Sequence, residues 1–178
     1  MIQQKTLTYY VYTHIQTNTH TMNIYLAYST AFIVMLAVMF IPNNLTISAV
    51  NSSWYRCIRP EITPPNYVFP IVWTTLYVLI GIALAQTLLL RETPVKYKMI
   101  LLYFINLSCN VLWSFLYFRE HDLLSALLIL LLIIVTTGFI LYHTYYTLPR
   151  WVFNILIPYQ VWILFAAVLN YLSLGRNC

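Results

Sequence analysis

The chain has 178 residues, of which 61% are hydrophobic and only 7% charged, and its mean hydropathy is +0.75. An ordinary soluble domain is about 25% charged, so a separate soluble domain is excluded and the composition predicts an integral membrane protein. The formal charge of +5 comes from nine Lys and Arg against four Asp and Glu; it forms no basic cluster, which assigns the charges to loops beside lipid headgroups and excludes a nucleic-acid partner.

Residues 1–22 are rich in Thr, Tyr, Gln and His and lack a continuous apolar core of signal-peptide type. They are expected to form a disordered or peripheral polar tail, with Met22 a second candidate start. From Asn23 to the end, residues 23–178 form one transmembrane domain with five apolar runs: Ile24–Ile41, Phe69–Leu90, Met99–Phe118, Leu123–Tyr142 and Val152–Leu174. Each is close to the ~20 residues a helix needs to cross the hydrocarbon core, and none contains Asp, Glu, Lys or Arg. The runs are continuous rather than alternating, which excludes a closed barrel. Short connections at Arg91–Pro94, Arg119–Asp122 and Leu148–Arg150 predict antiparallel neighbours, hence an all-α, five-transmembrane-helix bundle. Cations divide almost evenly between the two sides, so the positive-inside rule assigns no orientation.

The long connection after the first run enters WYRCIRPEITPPNYVFPIVWTTLY, residues 54–77. Pro60, Pro64, Pro65 and Pro70 fix φ and remove backbone donors, so much of it is expected to be irregular. Trp54 and Trp73 make it too aromatic for a solvated linker. It reads as a shaped loop that acts as a lid over one end of the bundle. Further on, Gly81 and Ala85 form a small-xxx-small pair, expected to serve close helix packing or a dimer seam, and Pro158 is expected to kink the last helix.

Polar side chains inside a span are costly, so they mark the candidate chemistry. Asn106, Asn110, Trp113 and Tyr117 fall on one helical face of the third run. Trp73, Tyr77, Gly81 and Leu84 do so in the second, Tyr159, Trp162, Ala166 and Asn170 in the fifth, and Tyr25, Tyr28, Ser29 and Phe32 in the first. Singly, each residue has a structural reading, because span amides bond neighbouring helices and aromatics gather at interfaces. Together the stripes predict a cavity walled by π-faces and a few hydrogen-bonding groups, suited to a flat or rigid apolar ligand. The three cysteines, Cys57, Cys109 and Cys178, have no CxxC spacing and are expected to be unpaired thiols. The four histidines, His143 among them, lack metal-ligand spacing. All four acids lie in loops, so neither a Ser/His/Asp hydrolase nor an intramembrane proton pump is supported. Leu169, Tyr171 and Arg176 match the loose L/V-x-Y-x-K/R sterol-contact pattern.

The ordered motifs WY at 54–55, PPNYVFPIVWTTLY at 64–77, NVLWSFLYF at 110–118 and PYQVWILFAAVLN at 158–170 resemble the TspO/MBR family of translocator and tryptophan-rich sensory proteins. The resemblance runs from about Ile24 to Asn177. It implies a five-helix, commonly dimeric bundle in a mitochondrial outer membrane or bacterial envelope, with a ligand pocket under the first loop. The implied ligands are porphyrins such as protoporphyrin IX or haem, sterols and synthetic drugs; no cofactor is obligatory. Carried over by position, the ligand-binding residues are Trp54, Trp73, Asn110, Trp113, Trp162, Phe165, Ala166 and Asn170, with Arg59 set to pair with a porphyrin carboxylate. The sterol contact is Leu169, Tyr171 and Arg176. Trp54 and Trp162 match tryptophans linked in bacterial relatives to light-dependent porphyrin breakdown. Ile62 and Tyr67 stand where the family often has aromatics, and are expected to tune ligand preference. The leading functional reading is a sensor, carrier or scavenger of tetrapyrroles or sterols. The alternatives are a porphyrin-degrading enzyme and a ligand-free structural subunit.

Overall fold

A computed structural model describes residues 22–41 and 43–176; the predicted tail at 1–21 lies outside them. The described residues form helices and no strand: α1 (Ile24–Phe40), α2 (Asn43–Val50), α3 (Ser53–Ile58), α4 (Val68–Leu88), α5 (Pro94–Phe118), α6 (Leu123–Thr147) and α7 (Arg150–Leu174). Helices α4 to α7 are long and apolar enough to cross a membrane, while α1 is a shorter apolar helix of 17 residues.

Local chemistry sets the helix ends. Asn23, Ser52, Thr93 and Asp122 cap α1, α3, α5 and α6 by accepting backbone N–H groups that have no partner within the helix. Thr93 followed by Pro94 starts α5 five residues before the apolar run, because Pro at the first helical position is pre-set for the turn. For the same reason Pro70 is tolerated in the first turn of α4. Helix α6 runs on to Thr147, beyond the apolar run, and stops just before Pro149. Pro158 lies inside α7 without ending it.

The connection between α1 and α4 is more regular than its prolines suggest. It holds α2 and α3, and the longest stretch without helix among its described residues is 59–67, which carries Pro60, Pro64 and Pro65. Cys57, in α3, is disulfide-bonded, whereas Cys109 is free and buried. The expectation of unpaired thiols therefore fails at Cys57: an odd count prevents all three from pairing, but not two.

Helices α4, α7, α6 and α5 pack in sequence around one core, and α1 docks on the outside of α4. Gly81 makes that docking close. A Cβ there would lie 3.0 Å from Met35 Cγ of α1, and Ala85 is fully buried. The small pair thus serves packing within the chain and is not available as a dimer seam. Helix α1 buries Ala27, Ala31, Met35 and Val38. Tyr25 (83% exposed) and Phe32 (63%) face away and Tyr28 accepts from Gln86 Nε2 at the edge of α4, so the predicted α1 stripe does not reach the interior of the bundle. A second, smaller cluster joins Tyr55 and Ile58 of α3 to Tyr117 and Ala126.

Candidate ligand cavity

At one end of the bundle α4, α5 and α7 enclose a cavity of about 260 Å³, covered by residues of the α1–α4 connection. Three of the four predicted stripes meet there. Helix α4 supplies Trp73 and Tyr77, α5 supplies Asn110, Trp113 and Tyr117, and α7 supplies Trp162, Ala166, Leu169 and Asn170. The stripes converge because α5 and α7 present their polar-aromatic faces across the gap left by α4. Lower on α4, Gly81 and Leu84 pack in the core instead.

The walls are aromatic and tightly ordered. Trp73 stacks on Tyr77 with ring centroids 5.5 Å apart and meets Trp162 edge to face at 6.5 Å. Trp113 packs on Tyr117 at 5.3 Å. Arg59 is the one charged residue among the described lining residues. Beside it, burial pushes the Tyr55 phenol above its ordinary range against a smaller opposing pull from the Arg59 guanidinium, so Tyr55 acts as a neutral group.

The polar groups of the inner wall belong to hydrogen-bond chains. Tyr77 donates to Asn110 Oδ1 (3.1 Å), Asn110 Nδ2 to the Tyr159 hydroxyl (3.0 Å), and Tyr159 to Asn106 Oδ1 (2.8 Å). Asn106 Nδ2 ends the chain on Thr136 Oγ1, Thr137 Oγ1 and the Ile133 carbonyl of α6. Trp113 Nε1 donates to Asn170 Oδ1 at 3.1 Å, and Asn170 Nδ2 donates to the Leu123 carbonyl at 2.9 Å. The span amides are therefore at once helix glue and cavity wall.

Of the residues predicted for the site, Arg59, Trp73, Asn110, Trp113, Trp162, Ala166, Leu169 and Asn170 line the cavity. Trp54 and Phe165 do not. Trp54 stacks flat on His121 outside it, and Phe165 packs against Trp162 from behind. The sterol-contact residues separate: Leu169 is buried against the cavity, while Tyr171 (65% exposed) and Arg176 lie on the exterior. Two positions apart on a helix, Leu169 and Tyr171 cannot share a face. Ile62 and Tyr67 are exposed and line nothing. Conversely, Tyr55, Thr63, Asn66 and Phe69 line the cavity without having been singled out. Thr63 and Asn66 carried a signal in the Pro64–Pro65 pair, which holds that stretch in a fixed extended path; Asn66 Nδ2 donates back to the Val50 carbonyl. No cluster of metal-ligating side chains occurs among the described residues.

Apolar helices around an aromatic-walled internal cavity define a multi-pass integral membrane protein. The profile described as the TspO/MBR family matches residues 11–173, and the chain belongs to that family. It is 34% identical over 149 residues to the tryptophan-rich protein TspO of Archaeoglobus fulgidus, covering 79% of this chain and 90% of that one. It is 32% identical over 148 residues to the protein of the same name from Chlorobaculum tepidum, covering 80% and 90%. It is 24% identical over 147 residues to the tryptophan-rich sensory protein of Cereibacter sphaeroides, covering 82% and 90%.

Proposed function

We propose that the cavity is a ligand site and that the protein binds tetrapyrroles or sterols within the membrane, as sensor, carrier or scavenger. One observation carries the reading: three tryptophans, Trp73, Trp113 and Trp162, and one cation among the described lining residues, Arg59, line one cavity. Indole faces suit a flat apolar ring system, and a guanidinium suits a peripheral carboxylate. In this reading α1 is the fifth span, at the short end of what a thin bilayer allows. Helices α2 and α3 with residues 59–67 form the lid.

The cavity is slightly below the ~300–1,000 Å³ range of drug-sized sites, so a macrocycle is admitted by displacing the lid. The lid rests on the small Tyr55–Ile58–Tyr117–Ala126 cluster rather than on the main core, which makes its displacement separable from unfolding. Light-dependent porphyrin breakdown needs an oxidisable side chain against the macrocycle; Trp162 lines the cavity and Trp54 does not, so of the two matched tryptophans that alternative rests on Trp162.

Titration of the purified protein with protoporphyrin IX is expected to quench tryptophan fluorescence saturably, and a sterol to raise the melting temperature. Absence of both responses refutes the reading and leaves a structural subunit whose stripes serve only as helix glue.

A further inference from the structure

The hydrogen-bond chain behind the cavity has a direction, and that direction is fixed far from the cavity. The Thr137 hydroxyl gives its proton to the Ile133 carbonyl, and Thr136 gives its own to the carbonyls of Leu132 and Ile133. Both hydroxyls can then only accept from Asn106, and the Ile133 carbonyl is an acceptor by nature. The Asn106 amide must therefore turn its nitrogen toward α6 and its oxygen toward Tyr159. Tyr159 must donate to that oxygen, accept from Asn110 Nδ2, and so turn Asn110 Oδ1 toward Tyr77. Tyr77 has one proton and must spend it on Asn110.

A second set obeys the same logic. Ser173 donates to the Leu169 carbonyl at 2.9 Å, so in its contact with Tyr117 the phenol is the donor. The Leu123 carbonyl turns the nitrogen of Asn170 away from Trp113 and its oxygen toward it. Tyr77, Tyr117, Asn110 and Asn170 all line the cavity. Each phenol proton is committed inward, and each amide nitrogen points at a partner outside the lining. The lining also holds donors outside these four residues: the Arg59 guanidinium, the Trp73 indole N–H and Trp162 Nε1, which is buried without a partner.

We infer that the inner wall of the cavity reads ligands by accepting hydrogen bonds, and so selects flat apolar molecules that carry an N–H or O–H donor on their buried edge. A ligand with that edge keeps every bond of the chain and adds one. A ligand without it gains no such bond, and the spare lone pairs of Tyr77, Tyr117, Asn110 and Asn170 lose water with no replacement partner. Tyr159 is a positioning residue in this scheme: it touches no ligand, yet it sets which way Asn110 and Tyr77 point. The inference rests on the cavity being a ligand site, but it needs neither a tetrapyrrole nor a sterol.

The test uses carbazole and dibenzofuran, three-ring aromatics of the same shape that differ in one N–H, titrated into the full chain in detergent. Carbazole is expected to bind at least about tenfold more tightly. In Tyr159→Phe the Asn110 amide is free to reverse and Tyr77 to turn its proton into the cavity, so the ratio is expected to fall toward one. Equal binding of the two probes to the wild type overturns the inference and leaves the ligand-site reading intact. A tenfold preference that persists in Tyr159→Phe overturns the role of the chain. Binding of neither probe overturns the inference; where protoporphyrin IX or a sterol still binds, the ligand-site reading stands.

Discussion

The indole of Trp54 lies flat on the imidazole of His121, with ring centroids 3.8 Å and planes 17° apart. The contact ties α3 of the lid to the turn between α5 and α6. His121 makes it from a left-handed backbone conformation, φ 56°, which costs a non-glycine residue about 1–2 kcal/mol. His121→Ala loses the stack and keeps that cost, whereas His121→Gly loses the stack and is relieved of it. Thermal unfolding is expected to rank wild type above alanine and glycine above alanine by about 1 kcal/mol; alanine at or above glycine contradicts this account.

Trp54 and Trp162 differ in what they touch. Trp162 lines the cavity, while Trp54 packs on His121 and, edge-on, on Tyr117. Trp162→Ala is therefore expected to weaken protoporphyrin IX binding by about tenfold or more, at the scale of a well-packed aromatic contact. Trp54→Ala is expected to change it less and to act through the lid. Isothermal titration on both variants decides the order, and an equal loss contradicts it.

Asn170 joins α7 to α5 and α6, receiving the Trp113 N–H and donating to the Leu123 carbonyl. Asn170→Leu takes the partner from a part-buried donor, Trp113 Nε1, and a part-buried acceptor, the Leu123 carbonyl. A loss of about 1–2 kcal/mol is expected, read as a lower melting temperature in detergent. A neutral outcome shows that Trp113 and Leu123 find other partners.

Gly81 sets the distance between α1 and α4. The nearest atom to an added Cβ is the flexible Met35 side chain at 3.0 Å, so Gly81→Ala is expected to be mild. Gly81→Leu must push α1 outward and is expected to cost about 1–3 kcal/mol. Unfolding curves that place leucine level with alanine are incompatible with this contact.

Lys96 is buried and donates to Glu92 at 2.7 Å. That hydrogen bond holds the Glu92 carboxyl below its ordinary range. A lowered folded-state pKa means the stabilisation is complete above the unfolded value, about 4.3, and is lost as the pH falls through the folded value. Glu92→Gln lacks it throughout. The melting temperature of the wild type is expected to exceed that of Glu92→Gln at neutral pH, with the two curves converging in acid; parallel curves show that Glu92 carries no such linkage.

Much of the cavity was legible before folding. The i, i+4, i+7 placement of Asn106, Asn110 and Trp113 puts them on one face wherever the helix lies, as does that of Tyr159, Trp162, Ala166 and Asn170. The α1 stripe failed because periodicity finds a face without saying what the face meets. Met35 packs against Gly81, and Ala27 and Ala31 are buried with it, a face too close for Tyr25 or Phe32, which α1 turns out. The place of Trp54 was not legible for a related reason: no periodic pattern spans the connection, and the αL turn at His121 provides the surface that holds the indole.

The sequence by itself determined the class: almost no charge, apolar runs of membrane length, and polar-aromatic stripes that only a helical period explains. These are properties of composition and of neighbours along the chain. Tertiary structure alone decided which stripes converge, that Cys57 is paired, and which way each buried amide points. Those depend on groups far apart in sequence, and the last depends on partners that leave an Asn one orientation. Nothing in the letters Asn106 or Asn110 says which end of the amide faces the cavity; the threonines of α6 do.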